Sequence, residues 1–272
     1  MKKENDEMNR KILNFLALTF LITGAGWGSL YLLVRSGQLS FGDPGAMILF
    51  ALAGFGPTFA TFITIALTDG KSGFRALWNR LFRFKVSGWY YLAAFLILAV
   101  IGLVPTLVES EFDTLLSILS QTSWGIVPIL FLSSFFFGGL EEIGWRGYLQ
   151  HELQKKFNIW VIYPITAVIW AFWHLPLFYI PGVSQFGQNF WIFSLYAFVF
   201  TLFLGWLYGR TKSIPIAILG HTLINTFSAI RFLNFMDKDS VHWATILILL
   251  AGLAGLNFLF PVKKIPTDLT PG

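Results

Sequence analysis

The stretch WGIVPILFLSSFFFGGLEEIGWRGYLQ, residues 124–150, decides which solvent this chain folds in. Its first fourteen residues carry no charge, yet Glu141, Glu142 and Arg146 follow inside the same apolar run. A bilayer is crossed by about 20 mostly apolar residues in a helix. Seven further runs of this kind lie at 12–34, 46–67, 89–108, 159–180, 190–208, 214–229 and 241–260. The composition agrees, with 56% hydrophobic and only 12% charged residues in 272. Soluble domains carry about 25% charged residues, so lipid must cover much of this surface. The same figures exclude a disordered chain, which is poor in apolar residues. The fold class expected is therefore all-α, a polytopic membrane bundle of about eight transmembrane helices.

Lys and Arg in the connections orient the bundle. Eight spans place fifteen of them on the side of both termini and three on the other. Both ends are thus expected in the cytoplasm, and a miscounted span would have scrambled the bias. The first run is too long for the 7–15-residue apolar region of a signal peptide, so a retained anchor is expected. Residues 74–84 read as an interfacial helix, with Phe74, Leu77, Trp78, Leu81 and Phe82 on one face. Nucleic acid is not an expected partner, because the basic residues of the +5 chain form no single patch in the sequence. There is no Cys, so thiolate metal sites and cysteine nucleophiles are excluded.

Charge inside the spans needs a reason, since each buried charge costs about 2.5–3.5 kcal/mol even on a mild scale. Of fourteen acids only Glu141 and Glu142 lie well inside a span. If the fourth span is helical, Glu142 and Arg146 are i, i+4 neighbours and pair, while Glu141 points elsewhere, toward a polar cavity. The glycines around them admit close helix approach. In the fifth span Trp170 and His174 share a face, and Pro176 perturbs the helix just beyond. In the seventh, His221 and Asn225 project together, and Ser213 and Pro215 suit its start.

A Glu, two His and an Asn without partners on their own helices would satisfy one another across helices 4, 5 and 7. They also form a kit for activating water. Glu141 suits a general base, a His orients water or binds metal, and His and Asn donors suit an oxyanion. Hydrolysis of an amide then needs no Ser or Cys nucleophile. Each motif alone has a plainer reading: His and Asn as packing glue, Glu with Arg as a structural pair.

At these residues the chain resembles the CAAX protease and bacteriocin-processing (CPBP) family, the type II CAAX prenyl endopeptidase or Abi family. The family pattern E-E-x-x-x-R, aromatic-x-x-x-H, H-x-x-x-N/D reads here Glu141-Glu142 to Arg146, Trp170 to His174, and His221 to Asn225. Trp170 stands where Phe is common. The resemblance implies an intramembrane endopeptidase acting on a peptide or protein in or at the bilayer. It implies that Glu141 and His174 activate water, that His221 and Asn225 hold the oxyanion, and that Glu142 and Arg146 brace the site. It leaves two chemistries open: a divalent metal such as Zn²⁺ held by Glu141, His174 and His221, or a metal-free glutamate mechanism.

Three regions are expected: 1–122 with three spans, a protease core at 123–230, and a last span and tail at 231–272. A prokaryotic plasma membrane is the expected location. The competing functions are a non-catalytic scaffold or immunity protein, and a proton-coupled transporter that would use the buried acids.

Overall fold

The computed structural model describes residues 2–109, 112–233 and 243–265. The expected His242 and Lys238, and the first residues of the last run, lie outside that set. Thirteen helices and shorter turns follow in order among the described residues. They begin with α1 (Lys2–Arg35), α2 (Pro44–Gly54), α3 (Gly56–Thr68), α4 (Gly70–Leu81), α5 (Gly88–Glu109) and α6 (Phe112–Gln121). After them come α7 (Val127–Phe137), α8 (Glu142–Gly144), α9 (His151–Gln154) and α10 (Ile159–His174). The chain closes with α11 (Phe190–Thr211), α12 (Ile214–Ala229) and α13 (Trp243–Leu259).

Five segments are long and apolar enough to cross a bilayer, α2 with α3 forms a sixth bent by 46°, and α12 and α13 are shorter apolar helices. They correspond to the eight runs expected. The bundle is inverted relative to a soluble protein. Leu13, Leu21, Leu67, Leu107, Ile129 and Phe258 face outward, whereas Thr61, Thr64, Thr201 and Thr222 are fully buried. With lipid outside, small and polar residues join the buried Trp, Phe and Leu side chains in packing the helices.

Three expected spans are interrupted, each for a local reason. The second bends where Gly54, Phe55 and Gly56 precede Pro57, which has no amide to give the preceding turn. The fifth stays α-helical to His174 and tightens to a 3₁₀ turn over Leu175–Tyr179, around Pro176. The fourth is the most altered. After α7, Gly138 takes an extended φ of −162°. A 3₁₀ turn follows at Gly139–Glu141, then α8 and a π-helical segment at Trp145–Gln150. Such wide turns cluster at functional sites.

Caps fix where the core helices start. Asn158 accepts from the amides of Trp160 and Val161, and Asn189 from those of Trp191 and Ile192. Ser213 caps α12 through Ile216 N, with Pro215 in the first turn, as the sequence suggests. α11 lies at the centre, buried along most of its length against α10, α12 and α13. The amphipathic segment expected at 74–84 is α4 with the residues after it. Leu77 is inward, while Trp78 and Phe82 stack on each other and stay exposed. Basic residues scattered in sequence line one cavity, drawn from the N-terminal helix, three connections and the C-terminal segment.

Candidate active site

The turn Gly138–Gly147 is held in the bundle by backbone approach. A Cβ on Gly139 would strike Thr222 and Ile218 of α12, one on Gly144 would strike Pro57 of α3, and one on Gly147 would strike Ile214. The expected close packing at these glycines is therefore present. Thr58 Oγ1 donates to the carbonyl of Leu140 at 2.7 Å, so α3 clamps the 3₁₀ turn that carries Glu141. Arg80 of α4 donates to the carbonyl of Gly147 in the widened turn at 3.1 Å.

Glu142 and Arg146 are both fully buried and pair through Oε1 and Nη1 at 2.9 Å. The i, i+4 relation survives the interrupted helix. His221 Nδ1 lies 2.8 Å from the same Oε1. Glu142 is thus an anion shared between two helices and two nitrogen donors. Glu142 Oε2 and Arg146 Nε and Nη2 are buried without a hydrogen-bond partner among the described residues.

Trp170 is the hub of the site. Its ring stands 5.2 Å from that of His174, 5.5 Å from that of His221, and 5.5 Å from the Arg146 guanidinium carbon. Its Nε1–H points to Glu141 Oε2 at 3.4 Å, beyond the usual N–H···O range and correspondingly weak. One indole therefore touches a residue of each expected motif. A Phe at this position would keep one aromatic ring, leave part of the indole's space empty and offer Glu141 no donor.

His174 closes α10, boxed by Trp27, Trp170, Trp173 and Phe193. Its Nδ1 is 2.8 Å from the carbonyl of Trp170. A carbonyl only accepts, so the hydrogen sits on Nδ1 and the neutral ring carries its lone pair on Nε2. The same reasoning puts a hydrogen on Nδ1 of His221, against the Glu142 carboxylate. His221 Nε2 and the Asn225 amide both lie against Gly138: a Cβ there would overlap Asn225 Nδ2 and come within 3.2 Å of His221 Nε2. All six expected residues thus belong to one neighbourhood, with Glu141, His174 and His221 nearly buried and Asn225 partly open.

Among the described residues, no three His, Asp or Glu side chains are grouped as ligands for a metal ion. The arrangement does not fit the expected metal set of Glu141, His174 and His221. Sequence reasoning missed Thr58 and Gly138. Thr58 lies far from the motifs in sequence, and nothing in its surroundings marks it. Gly138 could have been found as the residue that must give way to His221 and Asn225.

Residues 123–227 match the Rce1-like family, type II CAAX prenyl endopeptidase. The chain is also similar to the CAAX prenyl protease 2 of Methanococcus maripaludis, 29% identical over 230 residues, which cover 78% of this chain and 82% of the relative. It is 27% identical to the lysostaphin resistance protein A of Staphylococcus haemolyticus over 135 residues, 49% of this chain and 35% of that protein. These likenesses bear out the resemblance to the CPBP family and support protease activity in an integral membrane protein. The first also carries the similarity well outside the motif-bearing core.

Proposed function

We propose that this membrane protein is an endopeptidase whose catalytic group is Glu141, acting on the peptide bond of a membrane-associated or lipidated substrate. The observation that carries the reading is the convergence of Glu141, His174, His221 and Arg146 on the single indole of Trp170. A structural ion pair needs only Glu142 and Arg146; it gives no reason for a second buried carboxylate and a second buried imidazole beside it.

In the proposed step, Glu141 takes a proton from water as the water oxygen attacks the scissile carbonyl. His174 Nε2, a lone-pair acceptor when Nδ1 is hydrogen-bonded, holds the second water hydrogen and sets the direction of attack. The carbonyl oxygen becomes an oxyanion and is met by the Asn225 amide and by His221. His221 can donate from Nε2 only as the imidazolium, and Glu142 at its Nδ1 is the counter-ion for that form. When the tetrahedral intermediate collapses, Glu141 returns the proton to the departing amine. Arg146 holds Glu142, and Glu142 holds His221. Each of these buried groups works without water to screen it, which strengthens its effect.

The alternative chemistry would place a divalent metal on Glu141, His174 and His221. Those three are not grouped as ligands here; we propose the step for the chain's own residues, and the chelator arm of the test decides between the two. The fifteen-to-three partition of Lys and Arg supports both ends in the cytoplasm, and a prokaryotic plasma membrane is the location we propose.

The test is cleavage of a membrane-peptide library by detergent-purified protein, with and without chelator, beside Glu141→Ala and Asn225→Ala. Cleavage by wild type, indifferent to chelator and lost in both folded variants, is the expected result. Normal cleavage by folded Glu141→Ala overturns the mechanism. Loss on chelation with recovery in Zn²⁺ would replace it with the metal chemistry.

A further inference from the structure

A cavity of about 1030 Å³ opens at the end of the bundle where the basic connections meet. None of the candidate active-site residues lines it. Nine of the chain's nineteen Lys and Arg do, with only three of its fourteen acids. The chain as a whole is +5, so this single cavity holds more net positive charge than the entire molecule.

The acids are already committed. Glu7 and Asp69 both bind Lys11, at 3.0 and 2.6 Å, and Glu152 binds Lys155 at 2.6 Å. The other seven cations have no carboxylate partner among the described residues. Several are held in place by neutral groups. Arg80 donates to Gly147 O, Lys212 to Gln154 Oε1, and Lys264 to Lys156 O. The segment 261–265 forms one wall, fixed by Ile265 N to Gln154 O and by Arg210 Nη1 to Pro261 O. Charge that only has to set orientation during insertion needs no concave arrangement and no immobilised side chains. Here cations from distant parts of the chain are fixed around one void.

A second cleft, of about 300 Å³, adjoins this cavity. It is lined by Trp89, Ala93 and Leu96 of α5, Trp206 of α11, and Leu256 of α13 with Phe260 just beyond. Trp89 and Phe260 are exposed on the lipid-facing surface. Arg210 lines both spaces, held by Tyr90 and Pro261. Charge on one side of a single arginine and hydrocarbon on the other match a molecule with a phosphate head and an acyl tail.

We propose that this pair of spaces is a binding site for one anionic phospholipid, with its phosphate among the unpaired cations and an acyl chain in the α5–α11–α13 cleft. The site is separate from the candidate active site and stands whether or not the proposed protease chemistry does. It touches that site through one element, since Tyr148 and His151 line the cavity at the far end of the turn that carries Arg146.

Native mass spectrometry of the full chain in detergent tests it, with phosphatidylglycerol, diacylglycerol of the same chains, and inorganic phosphate as probes. Two triple variants remove equal charge: Lys156→Gln/Lys263→Gln/Lys264→Gln inside the cavity, and Lys71→Gln/Arg75→Gln/Lys85→Gln outside it. Wild type should retain one phosphatidylglycerol. The inside triple should weaken retention by on the order of 100-fold, as expected from roughly fivefold per surface cation, and the outside triple should leave it unchanged. Arg210→Gln, a single change at the shared boundary, should also weaken it. Equal retention of diacylglycerol, or equal losses in the two triples, would overturn the proposal. Full protection by phosphate alone against phosphatidylglycerol binding, with phosphate as tight as lipid, would also overturn it, in favour of a soluble phosphate ligand.

Discussion

His221 Nδ1 lies 2.8 Å from Glu142 Oε1, the oxygen that Arg146 Nη1 already engages at 2.9 Å. One carboxylate therefore fixes an imidazole on α12 and a guanidinium beyond α8. Removing it with Glu142→Ala would leave a buried guanidinium without its counter-ion. Breaking a buried pair in this way costs about 3–5 kcal/mol. The expected outcome is a large fall in the thermal unfolding midpoint in detergent, smaller for Glu142→Gln, whose amide oxygen still accepts.

Glu141 has no such structural duty. Glu141→Gln should leave the unfolding midpoint nearly unchanged and lower cleavage by roughly 10²- to 10⁴-fold, the usual worth of a general base. Rate and midpoint measured on the same preparation check it. Normal turnover by this variant would remove Glu141 from the chemistry.

Trp170→Phe keeps an aromatic ring at the hub and deletes Nε1–H together with one ring of the indole. A hydrogen bond of this kind contributes about 0.5–1.5 kcal/mol, so cleavage should fall by at most about tenfold. A shift of the pH–rate profile should accompany the fall, because the lost donor faces Glu141. Loss of rate with an unmoved profile would mean that Trp170 acts by packing alone.

Gly138→Ala places a methyl where the Asn225 amide stands and 3.2 Å from His221 Nε2. Its φ of −162° suits any residue, so the obstacle is steric and not conformational. Cleavage should drop at least as far as in Asn225→Ala, with helicity by circular dichroism retained.

Lys212 supplies a pH dependence. Burial, with the charge of Arg80 nearby, pushes its ammonium down from 10.5 to about 8. Gln154 of α9 and the Tyr208 ring of α11 also face it, and Lys263 and Lys264 line the same cavity. Between about pH 8 and 10.5 the unfolded chain holds the proton that the folded chain has released, so stability contributed by this group rises with pH there. Below pH 8 both states are charged and the penalty is fully present. Lys212→Met should flatten the rise in unfolding midpoint across that window.

Much of the architecture is legible in the amino-acid sequence. Apolar runs give the bundle, and i, i+4 spacing gives the Glu142–Arg146 pair and the common projection of His221 and Asn225. Depth along the helices is misleading. At about 1.5 Å per residue, His174 stands ~22 Å along its helix and His221 only ~10 Å along its own. The two nevertheless meet around Trp170, which sets where α12 starts relative to α10; Ser213 at that start is fully buried and bonds to Arg83 O. Nothing in the periodicity of 214–229 records that starting depth. The clamp of Thr58 on Leu140 and the cavity that the cations line are likewise invisible in the sequence, since both depend on which loops meet.

The π-helical segment at Trp145–Gln150 has a further consequence, for insertions and deletions. A turn closed by i→i+5 bonds holds one residue more than an α-turn. Removing one residue after Arg146 would let the segment relax to α with the helix beyond it kept in phase, whereas adding one would turn everything beyond it by about 100°. With such an added residue Glu142 and Arg146 would keep their partners, but Tyr148 and His151 would leave the cavity wall they now form. Apolar composition and span length would barely change. An added residue there should therefore do more harm than a missing one, the reverse of what an unbroken α-helix would show.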